Sequence, residues 1–84
     1  MATEFLESGR DDCAVSNFVR HTKRLEDGRP QPDLCTFELP HSTLVSLGSD
    51  VLHQIRYENG TVVPISVTAV TGGISGVLVT AKLP

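Results

Sequence analysis

The stretch from Val51 to Leu83 limits the fold more than any other part of the chain. It runs Val51-Leu-His-Gln-Ile-Arg-Tyr-Glu58, then Asn59-Gly60, then Thr61-Val-Val-Pro-Ile-Ser-Val-Thr-Ala-Val70. A glycine-rich joint, Thr71-Gly-Gly-Ile-Ser-Gly76, leads into Val77-Leu-Val-Thr-Ala-Lys-Leu83. The apolar residues repeat every second position. Val63, Ile65, Val67 and Ala69 fall on one side of an extended chain, and Val77, Val79, Ala81 and Leu83 do the same in the last run. Branched side chains dominate, and they suit a pleated surface better than a helix. Asn59-Gly60 between two such runs predicts a hairpin with a type I′ turn, because both residues tolerate positive φ. The segment is therefore expected to form three antiparallel strands in up-and-down order. Val51, Leu52 and Ile55 also fit a helical stripe capped by Asp50, but the turn that follows favours a strand. Pro64 has no N–H for a ladder, so the middle strand is expected to be an edge or a bulge at that point.

Upstream, Asp11 to Leu25 predicts an amphipathic helix. Ala14, Val15, Phe18, Val19, Thr22 and Leu25 lie on one helical stripe. As a regular strand the segment would mix Val15 with Asn17 and His21 on one face. Ser8, Asp11 or Asp12 would cap the start, and Gly28 with Pro30 would end the element. Gly28 to Asp33 reads as a linker because its two prolines bar a helix. Leu34 to Leu39 predicts a short strand with Cys35, Phe37 and Leu39 inward. His41 to Asp50 is open between a short helix capped by Ser42 and another short strand. Residues 1–10 read as a mobile arm. Within it, Phe5 and Leu6 either dock on a partner or pack back on the chain's own core. The expected class is thus α+β: residues 11–84 form one domain, with the helix packed on a mostly antiparallel four- to five-stranded sheet or small open barrel.

Eighty-four residues make one small core. With no Trp, one Tyr and three Phe, that core is expected to be aliphatic. The net charge of −3 argues against a chain devoted to nucleic acid, which needs surplus Lys and Arg. Residues 1–33 hold seven acids and five bases, and residues 34–84 hold three acids and two bases. The first part therefore reads as a solvated layer and the second as the core. No run is apolar and long enough for a signal peptide or membrane span, and the two cysteines read as reduced thiols in the cytoplasm.

Chemistry-bearing patterns are sparse. Arg20, Lys23 and Arg24 would share one helical face and form a cationic patch, either contacting a partner or paired with Glu26, Asp27 or Asp33. Arg20-His-Thr-Lys-Arg24 resembles the Arg-x-x-x-Arg element of PilZ domains, which bind cyclic di-GMP. That family also carries an Asp or Asn two positions before a Ser, with Gly three after it. Here Ser66 follows Pro64 and Ser75 follows Gly73, so the resemblance ends at five residues and implies no ligand. Cys13, Cys35, His21, His41 and His53 lack the close spacing of a zinc site. The glycine joint lacks the Lys-Ser/Thr ending of a phosphate-binding loop. There is no nucleophile elbow, paired-carboxylate motif or HExxH, so no catalytic residue, metal or cofactor is expected.

These readings converge on a non-enzymatic protein-interaction module. It would be a small accessory or inhibitor, of the kind phages and mobile elements encode, docking on a larger complex. The alternatives are a self-assembling viral capsid or tail subunit and a small nucleic-acid-binding domain. The expected contact is a sheet edge at the terminal strand, unguarded except by Lys82. Phe5, Leu6, Arg20, Lys23, Arg24 and Lys82 are the candidate partner-binding residues.

Overall fold

Seven antiparallel strands and no helix make up the described residues of the computed structural model, which are 1–8, 12–21, 33–41, 43–47, 50–73 and 76–83. The strands are β1 (Ala2–Glu7), β2 (Cys13–Ala14), β3 (Ser16–His21), β4 (Leu34–Leu39), β5 (His53–Tyr57), β6 (Val62–Gly72) and β7 (Val77–Lys82). Their order across the sheet is β2-β1-β5-β6-β7-β4-β3. The two outermost strands, β2 and β3, are separated by Val15 alone. One run of chain therefore forms both margins and draws the sheet into a nearly closed barrel. Val15 N–H donates to the Thr3 carbonyl at 2.9 Å, and Ser16 already pairs with Glu38 on the other side.

This overturns the α+β class and the expected helix over 12–21, while residue 11 and residues 22–25 of that expectation lie outside the described residues. The physical reason lies at Asn17, whose φ is 52°. Between Ser16 and Val19 the pairing with β4 gains one residue, a β-bulge. The bulge shifts the alternation by one. Cys13 and Val15 pack partly against the core, and Phe18 takes the inward place that a regular strand would give Asn17. The interval from Val15 to Phe18 is then three residues, which in sequence looks like a helical step. Asn is among the few non-glycine residues that enter this left-handed region readily.

The second long strand also bends. β6 pairs with β5 through Val62–Ile65 and with β7 through Ser66–Gly72. An extra residue at Thr68 again interrupts the ladder. It turns Ala69 outward and Val70 inward, so the expected inward series stops at Val67. β7 keeps strict alternation: Val77, Val79, Ala81 and Leu83 are buried, and Leu78 and Lys82 are exposed. The β5–β6 hairpin falls at Asn59-Gly60, with a different turn from the one expected. Gly60 alone has positive φ, at 89°, and its N–H donates to the Tyr57 carbonyl at 2.9 Å. Tyr57 N–H reaches Thr61 at 2.8 Å, and the Asn59 side chain accepts from Thr61 N–H at 2.9 Å. This is the three-residue loop in which a left-handed glycine closes the hairpin with a bulge, rather than type I′. At the end of the glycine joint, Gly76 lies against β4, where a Cβ would collide with the Leu39 carbonyl oxygen.

The core is more aromatic than expected. Phe37 on β4 is fully buried, with the Phe5 ring 5.7 Å away and the Phe18 ring 6.4 Å away. Three of the chain's four aromatic side chains thus meet from three strands, with Ile55, Val79, Leu39 and Cys35 around them. Ala2–Glu7, expected within a mobile arm, is an integral strand, and Phe5 packs on the chain's own core. Residues 43–47, open between helix and strand in the sequence, are neither.

Candidate functional site

Each of the two bent strands spends part of its length on each side of the barrel, which leaves stretches of strand edge unpaired. Among the described residues, β1, β4, β5 and β7 have a neighbour on both sides. The terminal strand β7 lies between β6 and β4, so the expected terminal edge does not exist. The open edges lie elsewhere. β3 is paired only on its β4 side, and β6 is paired only with β5 before Ser66 and only with β7 from Ser66 onward.

Three features blunt most of these edges. Past its bulge, β3 carries Arg20 and His21, and charge together with a bulge deters strand addition. The first half of β6 holds Pro64, which has no N–H to offer on the side β7 does not reach. The second half, Ser66-Val-Thr-Ala-Val-Thr-Gly72, has the bulge at Thr68 but neither charge nor proline. From Asn59 to Ala81 the chain contains no Asp, Glu, Lys or Arg at all. Ser66, Thr68, Ala69, Thr71 and Gly72 are exposed, and Val67 and Val70 are half-buried. Among the described residues no strand pairs with this segment on the side away from β7. Among the described residues the N–H and C=O groups that point away from β7 along this stretch therefore have no strand partner, and the Thr68 bulge breaks their alternation.

The residues singled out in the sequence do not gather at this edge. Phe5 is 2% exposed and belongs to the core, and Leu6 is half-buried. Arg20 lies on β3, where its Nε donates to Asp33 Oδ2 at 2.8 Å. That hydrogen bond and the carboxylate charge raise the guanidinium pKa further. Lys23, Arg24 and Arg29 lie outside the described residues. Lys82 is exposed and sits opposite Ser66, at one end of the open segment. Arg56, not singled out before, reaches Glu4 at 2.9 Å and Asp12 at 3.2 Å. Of the chemical signals for the edge, the uncharged run from Asn59 to Ala81 was present in the sequence. Which side of β6 is open depends on the pairing of the whole barrel.

A second polar feature closes one end of the barrel. Glu7 and His53 face each other across β1 and β5 and are 6% and 7% exposed. Glu7 Oε1 lies 3.3 Å from His53 Nε2 and accepts the Ser46 N–H at 2.7 Å. The His53 ring stacks on Phe5 with centroids 5.5 Å apart. One carboxylate thus ties segment 43–47 to two strands. Its burial suits a structural clasp, since a buried polar pair is tolerated only when hydrogen-bonded. Among the described residues no group of three His, Cys, Asp or Glu side chains is placed to hold a metal ion. Cys13 and Cys35 are not joined in a disulfide, and burial pushes the Cys35 thiol pKa up to about 11. No helix among the described residues is long and apolar enough to cross a membrane.

Comparison of the chain with protein-family models, with curated proteins and with solved structures returns no match.

Proposed function

We propose that this protein works by binding, as a small accessory that offers the Ser66–Gly72 edge of β6 to an extended segment of another chain. The observation that carries the reading is a seven-residue strand edge with no charge, proline or covering strand among the described residues. Strand addition draws its affinity from main-chain hydrogen bonds, so it needs neither a deep pocket nor a charged patch. Among the described residues Arg20 and Arg56 are engaged with carboxylates of the same chain, and a net charge of −3 supports a protein partner more than nucleic acid. The two cysteines, one of them buried in the core and neither in a disulfide, fit a reducing compartment such as the cytoplasm.

The test compares wild type with Ala69→Lys on the edge and Leu78→Lys on β7 as baits in the source lysate. Ala69 and Leu78 are both exposed, but Leu78 lies on a strand paired on both sides. A species retained by wild type and Leu78→Lys but lost with Ala69→Lys supports the proposal. Identical retention by all three baits overturns it.

A further inference from the structure

Resting on that reading of the edge, we infer that its occupant is a second copy of this chain, joined antiparallel along Ser66–Gly72 about a two-fold axis. Three observations favour self-pairing over an unrelated segment. First, the geometry is self-complementary. On a two-fold axis the same residues supply both rows, so outward N–H groups on either side of the Thr68 bulge can meet carbonyls of the other copy. Second, the charge distribution permits it. The chain is net −3, and like-charged surfaces repel, but its acids and bases all lie outside Asn59–Ala81. Two copies meeting at β6 therefore meet where neither carries a charge. Third, the exposed side chains of the segment are Ser66, Thr68, Ala69 and Thr71, which are small or β-branched. Such residues pair well across strands with their own kind. The half-buried Val67 and Val70 would lose their remaining exposure in the pair, adding apolar burial. The joined sheets would run continuously from one barrel into the next.

The experiment measures mass by light scattering at micromolar concentration, together with residue-resolved amide exchange, for wild type, the Ala69→Lys/Thr71→Lys double variant and Leu78→Lys. The double variant brings like charges face to face across the axis, whereas Leu78→Lys places a charge outside the segment. The expected result is a wild-type mass of twice 9.1 kDa, with slowed exchange for the outward amides of 66–72. In the double variant the dimer dissociation constant rises at least about tenfold, roughly the effect of a like-charge pair at close range, and those amides exchange freely. Leu78→Lys keeps the dimer. Dispersed amide spectra of the double variant show that its barrel remains folded. A dimer indifferent to Ala69→Lys/Thr71→Lys overturns the inference. A wild-type monomer with fast-exchanging outward amides overturns self-pairing but leaves the edge open to another chain. A monomer in which those amides are already protected overturns both this inference and the strand-addition reading.

Discussion

The barrel turns two corners, and the two strands that make them are built differently. The run from Cys13 to His21 crosses between sheet margins through a bulge at Asn17 in the left-handed region, and its open edge bears Arg20 and His21. β6 crosses through a bulge at Thr68 without any positive φ, and its open edge from Ser66 bears no charge. The first corner contributes a phenylalanine to the centre of the core, and the second contributes two half-buried valines. Both solve the same problem, since a strand that serves two sheets must bend and must leave part of its edge unpaired. The difference shows that bending the sheet and guarding its edge are separate requirements. The first corner guards its edge with both a bulge and charge, and the second has the bulge alone.

The comparison can be broken most forcefully at Phe18. Replacing it with Ala removes the ring stacked on Phe37, and such truncations cost about 3–5 kcal/mol. Val67→Ala at the other corner removes two partly buried methyl-sized groups and should cost about 1 kcal/mol. Urea denaturation of both variants checks this, and equal losses would mean that the two corners carry equal shares of the core.

Away from the corners, Glu7→Ala leaves His53 and the Ser46 N–H without their shared carboxylate. Orphaning buried polar groups costs about 1–3 kcal/mol. Besides the melting shift, the Ser46 amide should exchange faster relative to the strands, because its bond to Glu7 is gone.

A finer contrast comes from the bulges themselves. Asn17→Val forces a β-branched residue into the left-handed region and should cost about 1–2 kcal/mol. Asn17→Gly should be tolerated. Thr68→Val has no such conformational cost and loses only an exposed hydroxyl bond to the Thr80 carbonyl, so its effect should stay within about 0.5 kcal/mol. If Asn17→Val proves as mild as Thr68→Val, conformational strain is not what distinguishes the corners.

A last contrast is set by pH. The Cys35 thiol has its pKa raised from 9.0 to about 11 by burial, so the unfolded chain deprotonates first. Its contribution to stability is complete below pH 9 and is lost as pH rises through about 11. Melting curves between those pH values should slope downward, less steeply in Cys35→Ala. A thiol reagent should modify the half-buried Cys13 well before Cys35.

The C-terminal strands were legible because nothing interrupts their alternation. Val77, Val79, Ala81 and Leu83 face inward as the spacing predicts, and Leu34–Leu39 is a strand with the expected inward set. The hairpin position was legible too, although Asn59 keeps a negative φ and the turn is of another kind. The N-terminal half was not. Its bulge imitates a helical interval, and the apolar residues of Ala2–Glu7 are too few to announce a strand. For the proposed site, the uncharged composition was readable, but the wrong strand was chosen. The last strand in sequence is central in space because β4 closes over it.

The amino-acid order by itself determined where the chain alternates, where it turns and where it carries no charge, since these depend on neighbours along the backbone. Only the tertiary structure decided that Cys13–His21 is extended, that Phe5, Phe18 and Phe37 share one centre, and which side of β6 lies open. Those outcomes depend on long-range strand pairing, in which an inserted residue shifts every later side chain to the opposite face.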